Sequence, residues 1–199
     1  MVTRIILIRH GATNFNLQKR YSGFIDVSLN QLGKKQARNL CRALEGENID
    51  RVYCSDRKRA IQTARIVFKG RQIKKVRDLR EIHFGVFEGL KHCQLLKKHP
   101  KAYRQWLDNP FKAKIPKGED LRGFKKRVLA GLNKIISENH GKTVAVVSHG
   151  GAISMIINSI LKFENFWQAI PSSASLSIIE YRNNKPEVRI FNNKPCRQK

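Results

Sequence analysis

The 199-residue chain is 41% hydrophobic and carries 40 lysines and arginines against 15 acidic residues, a formal net charge of +25. That length supports one domain with a sizeable core and is short for two, while the charge favours anionic ligands and, with nucleic acid, only nonspecific contact. Cys41, Cys54, Cys93 and Cys196 have neither C-x-x-C spacing nor a paired histidine pattern, so neither a zinc site nor a disulfide framework is indicated. No apolar run reaches the length of a membrane span and no signal segment precedes the first apolar run, so a soluble, cytoplasmic protein with reduced thiols is expected.

In chain order, the apolar run Ile5-Ile6-Leu7-Ile8 ends abruptly in Arg9-His10-Gly11. Such a run fits a strand covered on both faces, and the glycine permits the turn that would leave His10 in a crevice at the strand's carboxyl end. Residues 12–27 read as a polar loop holding Thr13, Asn16, Arg20, Tyr21, Ser22, Gly23 and Asp26; loops this long inside a domain are usually functional. Ser28, three residues before Gln31, suggests a capping box for a helix that runs to about Leu44 with Ala37, Leu40, Cys41 and Leu44 on one face. A second strand is expected over 49–54, closing in Ser55-Asp56. The next helix buries Ala60, Ile61, Ala64, Val67 and Phe68 and holds Arg59 in its first turn, where a guanidinium beside helix N-terminal amides makes an anion site of two reinforcing parts.

Residues 72–76 resemble a short edge strand, and 78–89, with Glu81, Phe84, Gly85, Glu88 and Gly89, follow neither period and read as a structured loop. The 90–107 pattern is helical but broken at Pro100, and 109–118 is a proline- and lysine-containing excursion, so 90–118 is read as an insert able to act as a lid. The longest helix is expected over 119–138 on the stripe Phe124, Val128, Leu132, Ile135 and Ile136. A second β-branched run, Val144 to Val147, ends in Ser148-His149-Gly150-Gly151 and leads into a helix over 151–161. Two alternating segments, 174–180 and 187–191, suggest a hairpin around Asn183-Asn184. The alternation argues a single-domain three-layer α/β/α sandwich, its central sheet mostly parallel with an antiparallel edge.

Strand ends of such a sheet open on a shared crevice, which makes Arg9, His10, Asn16, Arg59, Glu81 and His149 candidates for one site. Two arginines can neutralise a phosphate, with Asn16 and His149 donating to its oxygens. His10 then stands as a nucleophile toward phosphorus, forming a covalent phosphoimidazole, and Glu81 as the group that protonates the leaving oxygen.

The chain carries Arg9-His10-Gly11-Ala12-Thr13 with Asn16, then Gly23-Phe24-Ile25-Asp26, Ser55-Asp56 through Arg59-Ala60-Ile61-Gln62-Thr63-Ala64, Leu79-Arg80-Glu81 through Glu88-Gly89, Gly118-Glu119, and Val147-Ser148-His149-Gly150. In this order the set resembles the histidine phosphatase superfamily, in its phosphoglycerate-mutase-like branch, over roughly residues 4–180. The resemblance implies that His10 is phosphorylated, that Glu81 donates the proton, and that Arg9, Asn16, Arg59 and His149 form the phosphate pocket. Ser22, Gly23 and Gly150 would contact the substrate, a small phosphorylated metabolite, with no metal or other cofactor.

Ser22, Cys54 and Ser173 depart from residues common in the family, which leaves the chemistry intact and the substrate open. The short chain and the text Phe84-Gly85-Val86-Phe87 favour a phosphatase over a mutase. The 79–89 text and the 100–118 excursion look most similar to α-ribazole phosphatases, with phosphoserine, sugar-phosphate and broad-specificity phosphatases as alternatives. A basic nucleic-acid-binding protein is the reading from a different class. His83, His92, His99 and His140 match no family position and are read as solvated or locally bonded, and Glu88 as structural.

Overall fold

The computed structural model describes residues 1–163 and 166–195, with the backbone alone at 166; Cys196 lies outside the described residues. Six strands, β1 (Val2–Arg9), β2 (Arg51–Cys54), β3 (Ile73–Lys75), β4 (Thr143–Ser148), β5 (Leu176–Arg182) and β6 (Lys185–Asn193), form one sheet in the order β3-β2-β4-β1-β5-β6. Strands β3, β2, β4 and β1 are parallel; β5 runs antiparallel to β1 and β6 antiparallel to β5. The β5–β6 hairpin turns at Asn183 and Asn184, both left-handed with φ 48° and 61°, as asparagine permits in the turn that matches strand twist.

Among the described residues seven α-helices accompany the sheet: α1 (Asn14–Leu17), α2 (Gln31–Ala43), α3 (Lys58–Val67), α4 (His92–Lys98), α5 (Pro100–Asp108), α6 (Leu121–Ser137) and α7 (Gly150–Leu161). The strand period of two sorts the core into layers. Ile6, Ile8, Val52, Cys54, Ala145 and Val147 pack on one side with Ala37 and Leu40 of α2 and Ala60, Ala64 and Val67 of α3. Ile5, Leu7, Tyr53, Val144 and Val146 face the other way, against Phe124, Val128 and Leu132 of α6, Ile153 and Ile156 of α7, and Leu95, Tyr103 and Trp106 of α4 and α5. Covering on both sides leaves Ile5 to Ile8 with no exposure, which is why β1 reads as an unbroken apolar run.

Three local expectations change. The 12–27 loop contains α1, closed by a reciprocal capping box between Thr13 and Asn16. Helix α2 is capped by Asn30, whose side chain accepts from the Gly33 amide at 2.8 Å, and not by Ser28: the chain turns helical at Gln31, so the oxygen at 30 is the one within reach of the third amide. The 78–89 loop carries 3-10 turns at Arg77–Leu79 and Gly85–Phe87. Pro100 ends one helix and starts the next, occupying the first turn of α5, where its missing amide hydrogen costs nothing. No helix among the described residues is long and apolar enough to cross a membrane.

Candidate active site

Sheet register brings the site together. Cys54, Val147 and Ile8 lie in one row across β2, β4 and β1, so Ser55, Ser148 and Arg9 occupy the next, and His149 and His10 follow at the same height. The His10 amide donates to the Ser148 carbonyl at 3.0 Å and the Ser55 amide to the Val147 carbonyl at 2.9 Å, locking that alignment. Residues separated by more than a hundred positions thus share one crevice above the carboxyl ends of the parallel strands, as open α/β sheets require.

Arg59, in the first turn of α3, is 1% exposed and bridges the two histidines. Its Nε–H points at His10 Nε2 at 3.3 Å and at His149 Nδ1 at 3.2 Å, while its terminal nitrogens donate to the carbonyls of Gly23 at 2.8 Å and Ile25 at 3.0 Å. A guanidinium only donates, so both imidazole nitrogens facing it carry lone pairs. The tautomers follow: His10 donates Nδ1–H to the Gly11 carbonyl at 2.7 Å, and His149 donates Nε2–H to Ser55 Oγ at 2.8 Å. Burial first, then the charges of Arg59 and Arg9, push His10 well below the usual histidine range; burial and Arg59 do the same to His149. Burial lowers Arg59 itself to about 10, which leaves it cationic at neutral pH.

Arg9 closes β1 beside this pair. One terminal nitrogen donates to the Pro171 carbonyl, and its Nε is buried without a partner. A Cβ at Gly150 would lie 3.0 Å from its guanidinium carbon, so the glycine is what lets α7 start against the arginine. Glu81 stands at the same helix start. Its Oε2 accepts from the Gly151 amide at 2.9 Å and its Oε1 from the Ile82 amide at 3.1 Å. Arg127 of α6 fixes the Glu81 backbone, donating to the carbonyls of Asp78, Arg80 and Glu81 at 3.0, 2.9 and 2.9 Å while Glu119 holds its Nε at 2.7 Å.

A cavity of about 200 Å³ opens among these groups, lined by Arg9, His10, Asn16, Ser22, Gly23, Arg59, Glu81 and Gly150, all singled out from the sequence. Asn16 spends its oxygen on the Thr13 amide and hydroxyl, so its NH2 is what it offers the cavity. His149 is the exception. It has no exposure and sits behind Arg59, engaged with Arg59 and Ser55, so in this state it orients the guanidinium and does not line the cavity. Gly23 has φ +46°, and a Cβ there would meet Glu88 Oε1 at 2.1 Å. Glu88 in turn accepts from the amides of Phe24, Ile25 and Phe84 and holds the loop that Arg59 also ties down.

Lys19, Arg20, Tyr21, Ile82, Phe84, Trp106, Gly151, Trp167 and Ile170 complete the lining. The doubled glycine after His149 was a sequence signal for Gly151; Trp106, Trp167 and Arg127 gave none, because core aromatics and surface arginines of helices look alike in sequence. From the 90–118 insert, Trp106 alone reaches this cavity; residues 111–115 line a separate cleft against α6. His92 bonds the Tyr103 hydroxyl at 2.9 Å and His83 stacks on Phe24, away from the cavity lining. Among the described residues no group of three or more His, Cys, Asp or Glu is arranged to hold a metal ion.

The histidine phosphatase superfamily (branch 1) profile matches residues 5–194. The chain belongs to that superfamily. It is 32% identical to the adenosylcobalamin/alpha-ribazole phosphatase of Escherichia coli (strain K12), over 96% of this chain and 96% of that protein. It is 33% identical to the metal-independent phosphoserine phosphatase of Arabidopsis thaliana, over 92% of this chain and 79% of that one. The crystal structure of the alpha-ribazole phosphatase from Shigella flexneri superposes with a TM-score of 0.89 at 29% identity, covering 98% of this chain and 99% of that one. Together with the α/β/α architecture these likenesses make the protein a phosphatase.

Proposed function

We propose that the protein hydrolyses small phosphomonoesters without metal, through a phosphohistidine at His10, and that its substrate is α-ribazole 5′-phosphate. The observation that carries the covalent step is the tautomer: with Nδ1–H held by the Gly11 carbonyl, the lone pair of Nε2 faces the cavity beside Arg59. A phosphate entering there draws the Arg59 and Arg9 guanidinium groups to its oxygens and frees Nε2 to attack phosphorus. The N–P bond forms as the P–O bond to the alcohol breaks, and the Glu81 carboxyl gives its proton to the departing oxygen. Water then attacks phosphorus, Glu81 takes the water's proton, and the N–P bond breaks to release phosphate and His10. The arginines carry the charge that divalent metals neutralise in other phosphoryl-transfer sites.

The choice of alcohol rests on the outer wall. Tyr21, Phe84, Trp106, Trp167 and Ile170 give it a largely apolar, ring-lined wall, which suits an aromatic base. Phosphoserine would bring an ammonium group, and Glu81 is the one acid among the lining residues. A panel of α-ribazole 5′-phosphate, phosphoserine, 3-phosphoglycerate and fructose bisphosphates, compared by kcat/KM with EDTA present, tests both halves of the reading. The α-ribazole ester should lead. Acid quench should trap phosphate on the wild type and none on His10→Ala; a folded His10→Ala protein with near-normal kcat would end the covalent proposal.

A further inference from the structure

Ser55 has no exposure and does not line the cavity, yet its hydroxyl meets the His149 ring on the side away from Arg59. It is held there from two sides. Its amide donates to the Val147 carbonyl at 2.9 Å, one step beyond the last paired row of β2 and β4, and Asp56, next in the chain, accepts from Arg80 with both carboxylate oxygens. The ring is equally confined: it is buried edge-on to His10, with centroids 5.2 Å apart. A neutral imidazole has one ring proton to place, and the two neighbours of His149 decide where it goes. Arg59 Nε–H comes toward Nδ1 at 3.2 Å and can only donate, so Nδ1 carries the lone pair. The proton sits on Nε2, and Ser55 Oγ accepts it at 2.8 Å.

The Arg59 Nε–H is shared, since it also points at His10 Nε2 at 3.3 Å. His10 needs that lone pair for phosphorus, so His149 must keep the N–H when the phosphoryl group arrives; a buried N–H left with no acceptor would oppose the step. We infer that Ser55 is a positioning residue for phosphoryl transfer: by accepting the Nε2–H of His149 it keeps Nδ1 unprotonated, and the Arg59 Nε–H retains an acceptor as His10 turns to phosphorus. The inference rests on the phosphohistidine reading of the site and adds to it the residue that lets Arg59 release His10. Without the hydroxyl, a proton on Nε2 is a stranded buried donor. The tautomer with the proton on Nδ1 then gains, and there it meets the Arg59 N–H donor to donor.

The test follows the proton and the step together. Long-range ¹H–¹⁵N spectra of the histidine rings near neutral pH should show His149 with Nε2 protonated and Nδ1 bare in the wild type, the signals being assigned by their loss in His149→Ala. Ser55→Ala removes one oxygen and adds nothing to a closed site; its spectra should show Nδ1 of His149 protonated in a substantial share of molecules. Rapid quench at saturating p-nitrophenyl phosphate should find phosphoenzyme formation about 5- to 50-fold slower in Ser55→Ala, the worth of a buried hydrogen bond left unmade. Ser55→Cys, whose thiol accepts weakly, should fall between and serves if the alanine variant folds poorly. In a His149→Ala background Ser55→Ala should change the rate less than twofold, because its route runs through that ring. A wild type with the proton on Nδ1 would overturn the inference, as would a wild-type rate and tautomer in Ser55→Ala. Equal losses in both backgrounds would also overturn it, leaving Ser55 as part of the frame alone. A wild type that forms no phosphoenzyme would overturn the phosphohistidine reading and the inference with it, a failure that the wild type reveals without any variant.

Discussion

Gly151→Ala offers a test of Glu81 that leaves Glu81 itself in place. A methyl group at residue 151 would lie 2.4 Å from Glu81 Oε1, well inside contact distance, and the atom it meets is the end of a flexible side chain. The carboxylate must therefore swing away, giving up its bond to the Gly151 amide at 2.9 Å, while α7 keeps its backbone. Misplacing a catalytic group by about 1 Å costs on the order of 100-fold, and complete loss of a general acid about 10²- to 10⁴-fold. Hydrolysis of an alkyl phosphate should accordingly fall ~100-fold or more. Rapid-quench measurement of phosphoenzyme formation isolates the step, since kcat can be limited by the later hydrolysis. p-Nitrophenyl phosphate should lose far less, because p-nitrophenolate departs without a proton. Stability should change little, because the preference of a helix for alanine over glycine, about 1 kcal/mol at most in this first turn, is offset by the lost bond to the Gly151 amide. A Gly151→Ala protein that forms phosphoenzyme from the alkyl ester within threefold of wild type would refute the assignment of Glu81 as leaving-group acid. Equal losses on both esters would assign Glu81 to orientation or to water activation.

Arg59→Ala should raise KM and lower kcat together, by roughly 10- to 150-fold in kcat/KM from about 1.5–3 kcal/mol of charge-assisted bonding. It should also lower the melting temperature, because the carbonyls of Gly23 and Ile25 lose their donor; an effect below twofold on turnover would take Arg59 out of the phosphate pocket. Arg127→Ala, remote from the cavity, should reduce kcat more than KM by loosening the Glu81 backbone, and an unchanged kcat would mean that the loop holds its shape alone. Buried His10 and His149 are kept neutral in the fold, whereas in the unfolded chain they titrate near ~6.5, so below that pH the unfolded state binds more protons. Their contribution to stability is therefore complete above about pH 6.5 and is lost as the pH falls below it. Urea midpoints followed down to about pH 5 should drop less steeply in His149→Asn than in wild type, and identical slopes would contradict a buried neutral His149.

Much of the fold was legible because it depends on short periods. Ile5 to Ile8 and Val144 to Val147 read as doubly covered strands, Pro100 split its helix where the residue geometry requires, and Asn183-Asn184 made the hairpin turn. That His10, Arg59 and Glu81 would meet in one cavity was legible because each stands beside the end or start of an element that the sequence marks. The cap at Asn30 was not, since Ser28 and Asn30 are equivalent until the backbone fixes which oxygen reaches the third amide. Nor could the sequence assign His149 its place behind Arg59, give Arg127 its hold on the 78–81 segment, or bring Trp106 and Trp167 edge to face beside the pocket. Local pattern reports which face of an element is buried. Which side chains then meet is decided by strand register and by how helices from distant segments pack across the sheet, and that is where the lone pair of His10 acquires its direction.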